Sequence, residues 1–247
     1  DGTMPKRLMC VVAHPDDECF AFGGALALAS QAGWETYVIC LTDGQAATNR
    51  GESNDGNDLG RMRRDEFARS CAVLGITKHE LMDYHDGKLE TVPMAEAAKR
   101  LVERMRTWKP HVVVTFGLDG SLNVHADHTA VCAFTSAAFH WSARSKRFPE
   151  LGLEPWVAHR LYHQSTDFTL PDREPQQPGP WTVELDITPV KELKYRAFEE
   201  HTSQLPVLEK VRPYWDKFGN RELYTLAASN DPHAATITHS MLEGIEE

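Results

Sequence analysis

The stretch LMCVVAHPDDE near the start of the chain constrains the fold more than any other part of the sequence. Its first part, Leu8–Ala13, is apolar without alternation, which is typical of a parallel strand covered on both faces. A helix is predicted directly afterwards, because Pro15 suits a first helical turn and Asp16 and Asp17 suit its positive end. Gly33 can end that helix. A strand, a tight turn and a helix in this order present side chains at the carboxyl edge of a sheet, where doubly wound α/β proteins bind ligands.

The turn itself carries groups that bind metals. His14 supplies an imidazole nitrogen and Asp17 a carboxylate oxygen, and their spacing lets one turn direct both side chains to a single point. Asp16 lies between them and could serve the same site without binding the metal, as a carboxylate that handles protons. An alternative is that these acids only cap a helix. A second cluster favours the metal site.

This second cluster, NVHADH, also stands between an apolar strand and a helix. The strand is Val112–Phe116 and the helical pattern is Thr129–Trp141. His125 and His128 are three residues apart and can turn both rings to one side, and Asp127 can orient one of them by a hydrogen bond. Two such clusters at equivalent strand ends indicate one shared site.

With these residues the chain resembles the PIG-L/LmbE family of zinc-dependent de-N-acetylases. AHPDDE at 13–18 matches the first signature of that family, and HADH at 125–128 resembles the second, which is usually HPDH. One departure is Ala126 in place of proline, which removes no functional group. Weaker similarities extend over most of the chain: LTDG at 41–44, RRDE at 63–66, LG at 74–75, DG at 86–87 and HTSQ at 201–204. The resemblance implies an LmbE-like fold, a Rossmann-like three-layer α/β sandwich with a mostly parallel sheet.

A catalytic metal site is also implied by the resemblance. His14, Asp17 and His128 give three protein ligands and leave a position open for water, as catalytic rather than structural zinc sites do. Fe(II) is the alternative metal. Water on such a metal ionises near neutral pH.

Three further residues are predicted to be catalytic. Asp16 would take the proton of the attacking water and return it to the departing amine. His125, held by Asp127 and cationic, would stabilise the oxyanion. Since the chain has no GxSxG motif and no mark of a cysteine nucleophile, no covalent intermediate is expected.

The substrate class follows from the resemblance alone. It implies hydrolysis of the acetamido group of an N-acetylglucosamine-like sugar, with Arg63 and His201 as substrate-binding residues. Members of the family act on inositol glycosides, malate glycosides, chitooligosaccharides and glycopeptide antibiotics, and some cleave other amides. The sequence therefore predicts a metal-dependent amide hydrolase that acts on a small amino sugar, and it leaves the particular substrate open.

Two other classes of protein compete with this interpretation. Two histidines and one carboxylate also form the facial triad of non-haem iron oxygenases, although Asp16 and His125 would then have no role. The other class is a nucleotide-binding or catalytically silent sugar-binding module. However, no GxGxxG follows the first strand, and three acids there would repel a pyrophosphate.

Charge and cysteine usage bear on partners and location. The net charge is −10 and the sequence pI about 5.6, which disfavours nucleic acid and anionic membrane partners, because a basic patch is needed to attract either. No run reaches the roughly 18 to 20 apolar residues of a membrane span. The 5 cysteines are scattered and form no CxxC pair, so a cytoplasmic protein is expected. A homo-oligomer is compatible with the sequence.

A single domain over residues 1–247 is predicted, since this length suits one large α/β unit. Strands and helices alternate in the first half, which calls for a mostly parallel sheet with right-handed crossovers. Beyond those already named, the predicted elements there are strands at Tyr37–Thr42 and Leu81–Tyr84 and helices at Leu59–Leu74 and Met94–Trp108. The Gly- and Asn-rich loop Asp43–Asp58 is expected to border the site, either as a lid or as plain surface.

The second half of the chain is harder to interpret. Strands are expected at His159–His163 and Trp181–Ile187, and a helix from Thr188 to about His201. Between the strands, Asp167–Pro180 contains several prolines and is predicted to be an irregular loop. These segments are expected to wall the pocket of the same domain.

Overall fold

The computed structural model describes residues 4–176 and 179–241. Residues 1–3, 177–178 and 242–247 lie outside the described part. Both ends of the predicted domain 1–247 and two positions of the predicted loop Asp167–Pro180 therefore lie outside the described residues.

One mostly parallel sheet dominates the fold, which confirms the predicted α/β class. Its strands in the described residues are β1 (Arg7–Val12), β2 (Glu35–Thr42), β3 (Lys78–Tyr84), β4 (Val112–Phe116), β5 (Arg160–Ser165), β6 (Val183–Asp186) and β7 (Arg221–Ser229). They lie in the order β3-β2-β1-β4-β5-β7-β6. The strands β1 to β5 are parallel, whereas β7 is antiparallel to β5 and to β6. Every residue of β1 is buried, as expected of a central parallel strand.

Helices cover both faces of the sheet. They are α1 (Asp17–Phe20), α2 (Gly23–Gln31), α3 (Gly56–Val73), α4 (Met94–Trp108), α5 (Ala126–Ser142), α6 (Lys191–Glu199) and α7 (Leu205–Phe218). The chain moves outward from β1 to β3 and then in the opposite direction from β4 to β5, so right-handed crossovers place α1 to α3 on one face and α4 and α5 on the other. On the first face α6 packs against α2, α3 and α7, and on the second α4 packs against α5. This is the three-layer sandwich that the sequence predicted.

Helix starts differ from the predicted ones where a side chain caps the first turn. The bounds of α4 are as predicted. In contrast, α3 begins three residues early, because the Asp55 side chain accepts a hydrogen bond from the N–H of Asp58 at 2.8 Å. At the start of α5, the His125 ring accepts one from the N–H of Asp127 at 3.0 Å.

The single helix predicted after β1 is wrong, because the structure has two. The first helix, α1, ends at Phe20, and α2 begins at Gly23 with a new set of free N–H groups. The carboxylate of Glu222 accepts hydrogen bonds from the N–H groups of Gly24 at 2.6 Å and Ala25 at 3.0 Å. A carboxylate is favourable at a helix N-terminus, and a Cβ on Gly24 would lie 2.5 Å from Glu222 Oε2. The second helix is therefore anchored by a residue distant in sequence.

This anchor predicts a large effect on stability. Glu222 also binds the buried Lys194 ammonium at 2.9 Å and the Tyr224 hydroxyl at 2.7 Å. We expect Glu222→Gln to lower the free energy of unfolding by about 3–5 kcal/mol, because it leaves a buried cation without its counter-charge. Urea unfolding measures this. Glu199→Gln, which breaks an exposed ion pair with Arg212, is the control and should cost at most about 1 kcal/mol. Equal effects of the two changes would contradict the prediction.

The second half of the chain departs most from the sequence interpretation. The helix predicted from Thr188 is a 3₁₀ turn at Thr188–Val190 followed by α6. After His201, where no element was predicted, the structure adds α7 and β7. Across the described ranges, no helix combines the length and apolar character that a bilayer crossing requires.

Candidate active site

The predicted site residues lie at the carboxyl ends of neighbouring strands. The turn after β1 carries His14, Asp16 and Asp17, and the segment between β4 and α5 carries His125 and His128. Because β1 and β4 pair in parallel, both segments leave the sheet at the same edge. The ring centroids of His14 and His125 are 4.8 Å apart, and those of His14 and His128 are 5.5 Å apart. The structure thus brings together the two clusters that the sequence pointed to.

The turn after β1 has a strained backbone that is held by hydrogen bonds. Asp17 Oδ2 accepts bonds from the N–H groups of Ala13 at 3.1 Å and His14 at 2.8 Å. Asp16 has a φ of 111°, in a region that residues other than glycine avoid. Its own N–H donates to Glu18 Oε2 at 2.8 Å. Strain held in place in this way is a feature of functional turns.

Three side chains meet at distances that suit one metal ion. His14 Nδ1 lies 3.6 Å from Asp17 Oδ2, and His128 Nε2 lies 3.4 Å from Asp17 Oδ1. The donor atoms all lie within 4.8 Å of one another, and all three residues are buried. Ligand atoms 2.0–2.2 Å from a tetrahedral zinc ion are roughly 3.3–3.6 Å apart. The two measured distances end on different oxygens of the Asp17 carboxylate. Two imidazole nitrogens and a carboxylate gathered in this way fit zinc or Fe(II).

The charge on Asp17 also suits a metal ligand. Burial by itself would raise the pKa of its carboxyl group. The rings of His128 and His14 outweigh burial and hold the pKa of Asp17 well below its usual value. The group is therefore ionised at neutral pH, as a carboxylate ligand must be.

Hydrogen bonds on the far sides of the two rings fix which nitrogen faces Asp17. His14 Nε2 lies 2.8 Å from Asp127 Oδ2 and 2.9 Å from Asp86 Oδ1. His128 Nδ1 lies 3.1 Å from a carbonyl oxygen of the loop that precedes α5. Burial lowers the pKa of His14, but the carboxylates of Asp127, Asp17 and Asp86 outweigh burial and raise it well above its usual value, so a metal would displace a proton from this ring. Since the far partners are acceptors, the far nitrogens carry hydrogens, and His14 Nδ1 and His128 Nε2 face Asp17. A ligating histidine requires this orientation.

The contacts of Asp127 correct the sequence prediction. Its carboxylate does not hold His125, but binds His14 and accepts the N–H groups of Gly87 at 2.7 Å and Leu89 at 3.1 Å. His125 instead accepts the main-chain N–H of Asp127 through Nδ1. The spacing of the motif could not show this, because the partners of Asp127 come from other segments of the chain.

The predicted charge of His125 is also wrong. Burial lowers its pKa, and the neighbouring His14 and His128 lower it further. Its Nδ1 is an acceptor, so the hydrogen of the neutral ring is on Nε2. His125 lines the cavity at the cluster and is a neutral hydrogen-bond donor rather than a cation.

Asp86 is a site residue that the sequence interpretation did not single out. It follows β3, and its carboxylate contacts His14 and accepts the N–H of Ala46 at 3.1 Å. It also lines the cavity. The available signal was the Asp-Gly pair at the end of a predicted strand, at the same sheet edge as the two histidine clusters.

Asp16 lies at the cavity beside a buried cation. Its Oδ2 atom is 3.3 Å from Arg63 Nη2. Burial raises the pKa of Asp16 to about 7, against the opposing effect of Arg63. A carboxyl group with a pKa near neutrality is able both to accept and to return a proton.

Arg63 also lines the cavity, but its identified hydrogen bonds are to the protein. It is buried and donates to the carbonyl oxygens of Pro15 and Gly44, the latter at 3.1 Å. Gly44 has a φ of 67°, and a Cβ there would collide with the guanidinium. Arg63 thus joins the Asp16 turn to the loop after β2. Its contact with a substrate stays a prediction.

His201 does not lie over the cavity, contrary to the prediction. It is fully buried, and its Nε2 is 2.5 Å from Glu18 Oε1. Because Glu18 also binds the N–H of Asp16, His201 supports the turn from behind. In the HTSQ motif it is Gln204 that lines the cavity. The sequence could identify the motif but not which of its side chains lines the cavity.

The loop between β2 and α3 borders the site, as expected, and residues 46–49 form a wall of the cavity. Several hydrogen bonds hold it in the described structure, among them those of Ala46 with Asp86 and of Gly44 with Arg63. Gln45 Oε1 accepts the N–H of Asp86 at 3.2 Å, and the Asn49 carbonyl accepts Gln204 Nε2 at 2.8 Å. The loop is therefore packed against other segments of the site. Movement of this loop as a lid stays a prediction.

The cavity that opens on the cluster has a volume of about 640 Å³. Its inner end is polar and is formed by the turn after β1, Asp86, His125 and His128. Its outer wall comes from the loop after β5 and from α7: Leu170, Arg173, Pro206, Val207, Lys210 and Val211. The inner end carries the groups suited to chemistry, and the outer wall encloses the space for a ligand.

The fold and site together define an α/β protein with a candidate divalent metal centre at the carboxyl edge of a parallel sheet. Residues 9–139 match the profile of the PIG-L family, described as GlcNAc-PI de-N-acetylase. The chain belongs to this family of deacetylases.

Curated relatives align with most of the chain. It is 28% identical over 244 residues to the 1D-myo-inositol 2-acetamido-2-deoxy-alpha-D-glucopyranoside deacetylase of Rhodococcus erythropolis, covering 82% of each chain. It is 27% identical over 216 residues to the diacetylchitobiose deacetylase of Thermococcus kodakarensis, covering 86% of this chain and 74% of that one. Among solved structures, the N,N'-diacetylchitobiose deacetylase of Pyrococcus horikoshii superposes with a TM-score of 0.75 at 25% identity, covering 90% of this chain and 83% of that chain.

Proposed function

We propose that this protein is a metal-dependent hydrolase that removes the N-acetyl group from an N-acetylglucosamine-containing substrate. The observation that carries the proposal is the buried cluster of His14, Asp17 and His128 with Asp16 beside it, at the inner end of a cavity large enough for a sugar. Membership of a deacetylase family and relatives that are amino-sugar deacetylases support the same reaction.

The metal would be held by His14, Asp17 and His128, with zinc as the proposed ion and Fe(II) as the alternative. Such an ion lowers the pKa of water and polarises a carbonyl group. Asp127 and Asp86 keep His14 Nδ1 turned toward the cluster. The buried Asp17 carboxylate supplies the negative charge that a dication requires.

Proton transfer is assigned to Asp16. Its carboxylate would take the proton of the attacking water and return it to the amine nitrogen as the amide bond breaks. The pKa of about 7 suits both steps. Arg63 holds the turn that carries Asp16, and His125 Nε2–H would donate to the carbonyl oxygen as negative charge develops there.

Substrate contacts are proposed for two residues of the larger cavity. Arg63 borders it beside Asp16, and Gln204 also lines it. His201 is assigned a positioning role through Glu18 and Asp16 rather than a contact with the sugar.

The Asp127 carboxylate is expected to strengthen metal binding without touching the metal. Asp127→Asn keeps the shape of the side chain but weakens its bond to His14, so zinc affinity should fall by about 10- to 100-fold. Competition with a chromogenic chelator measures this. Asp65→Asn, at an exposed position of α3, is the matched control. Unchanged zinc affinity in Asp127→Asn would remove Asp127 from the metal site.

Hydrolysis of another amide is the first alternative function. A two-histidine, one-carboxylate iron oxygenase is a second alternative. The raised pKa of Asp16 beside the cluster favours a hydrolase, because an oxygenase has no evident use for such a base. Oxygen consumption by the Fe(II)-loaded protein would favour the oxygenase.

The test is amine and acetate release from a panel of N-acetylglucosaminides. It uses zinc-loaded protein, the chelated protein and the Asp16→Asn variant. Turnover that needs both metal and Asp16 would establish the hydrolase and rank substrates by aglycone. If the metal-loaded protein released no amine or acetate from any substrate of the panel, the deacetylase would be refuted. Hydrolysis of another amide or the oxygenase would then be favoured.

A single domain over residues 1–247 and a cytoplasmic location are also proposed. The cysteines Cys10, Cys19, Cys40, Cys71 and Cys132 are all buried and free of disulfides. That pattern is typical of a reducing compartment. A small amino-sugar substrate is the proposed partner, and an oligomer is to be tested by light scattering.

A further inference from the structure

A second, smaller cavity also borders the metal cluster. Its volume is about 60 Å³, against about 640 Å³ for the larger one. The two cavities share Asp17, Phe20, Asn123 and His128 as lining residues. They therefore meet at the metal cluster, where a reacting carbonyl carbon would lie.

The two cavities differ in the catalytic side chains that line them. Asp16, Arg63 and Asp86 line only the larger cavity. Since Asp16 returns its proton to the amine nitrogen, the nitrogen and its sugar lie on that side. The acyl carbon chain extends from the opposite side of the carbonyl carbon, and the smaller cavity borders Asp17 and His128 there. This step rests on the proposed amide hydrolysis.

The walls of the smaller cavity suit an uncharged group. Phe116, Leu122 and Leu223 contribute apolar surface. Apart from Asp17 of the metal cluster, its charged residues form pairs with each other: Lys194 with Glu222, and Arg221 with Asp167. The cations of the cavity are therefore already neutralised and would not attract an anionic group. A short alkyl chain, in contrast, would contact the apolar walls.

Two stacked aromatic rings form part of the wall of the smaller cavity. Phe168 and Phe218 have ring centroids 5.2 Å apart and an interplanar angle of 15°. Phe218 is 38% exposed, so this pair stands between the cavity and solvent. At about 60 Å³, against about 640 Å³ for the larger cavity, the smaller one leaves room only for a short chain.

We propose that this smaller cavity is the acyl pocket and that Phe168 and Phe218 set the longest acyl chain the enzyme accepts. An acetyl group fits within it, and longer chains meet the stacked rings. The smaller cavity then determines selectivity for acyl length, and the larger cavity determines selectivity for the sugar.

The test compares N-acetyl, N-propanoyl, N-butanoyl and N-hexanoyl forms of one glucosaminide. Each methylene beyond the capacity of a pocket costs roughly 10- to 200-fold in kcat/KM. The kcat/KM of the zinc-loaded protein should therefore fall steeply as the acyl chain becomes longer. Phe218→Ala opens the outer wall at a partly exposed position. It should raise the butanoyl-to-acetyl ratio of kcat/KM by about 10-fold or more, with unchanged zinc content. Phe168→Ala is a second variant with the same expected direction.

The matched control is Val207→Ala, which truncates an apolar wall of the larger cavity only. It should leave the butanoyl-to-acetyl ratio unchanged. A ratio that stays at the wild-type value in both Phe218→Ala and Phe168→Ala, or that shifts equally in Val207→Ala, would overturn the acyl pocket while leaving the hydrolase intact.

Calorimetry with the free acids separates the pocket from the reaction. Zinc-loaded wild-type protein should bind acetate and reject hexanoate, and Phe218→Ala should bind both. Size-selective binding that Phe218→Ala relaxes, in a protein that hydrolyses none of the amides, would support the pocket and refute the proposed reaction. Binding that is indifferent to chain length would refute the pocket.

Discussion

Asp16→Asn is expected to retain its metal and to lose about 10²- to 10⁴-fold in kcat, the size of a lost general acid-base contribution. Asparagine tolerates the positive φ of this position and keeps a polar contact for Arg63, so the turn should be preserved. What disappears is the group that takes the proton of water and returns it to the amine. Steady-state kinetics together with metal analysis of the same sample measures both properties.

A pH profile sharpens this expectation. The base must be ionised, so kcat/KM should fall as the pH drops through the pKa of Asp16. Burial raises that pKa to about 7, and a divalent cation beside it would lower the value, so the acid limb should lie at or below pH 7. Asp83→Asn, at an exposed position at the end of β3, is the control and should behave as wild type. Near-normal turnover by Asp16→Asn would show that another group is the base.

His14→Ala and His128→Ala are each expected to abolish stoichiometric metal binding. Each removes one of three donors in a buried cluster, and what remains is one imidazole and a carboxylate beside further acids. The zinc content after dialysis, measured by elemental analysis, should fall to near zero in both variants. Activity should fall with it, and added zinc should no longer raise the midpoint of thermal unfolding, because stabilisation by a ligand requires binding to the native state.

His125→Ala is the informative control for these two variants. This residue lines the same cavity but donates a hydrogen bond rather than a lone pair, so its loss should slow the reaction and leave zinc bound. If His125→Ala lost its metal and His128→Ala kept it, His125 would be the metal ligand and His128 the hydrogen-bond donor. Full zinc occupancy in both His14→Ala and His128→Ala would show that the ligands lie elsewhere.

Local pattern was enough to predict the order of strands and most of the helices in the first half of the fold. Uninterrupted apolar runs identified β1 and β4, and amphipathic spacing identified α4 with its observed bounds. The chemistry of the site was readable for the same reason, because His14 and Asp17, like His125 and His128, are held at short spacing within one turn or one helix start.

Contacts between distant segments could not be predicted in the same way. The bond between Asp127 and His14 joins two motifs, and that between His201 and Glu18 joins the two halves of the chain. Nothing in the spacing of either motif determines such a partner. The break between α1 and α2 has the same origin, since Glu222 on β7 supplies the carboxylate that anchors the second helix.

The origin of the cavity walls affects how such an enzyme can evolve. The residues assigned to metal binding and proton transfer precede α6 and the antiparallel edge of the sheet. The loop after β5 and α7 instead supply outer-wall residues such as Arg173, Val207 and Lys210. Mutations in these later segments can alter recognition while the reactive centre keeps its geometry. New specificities are therefore accessible by gradual change, without passing through inactive ancestors.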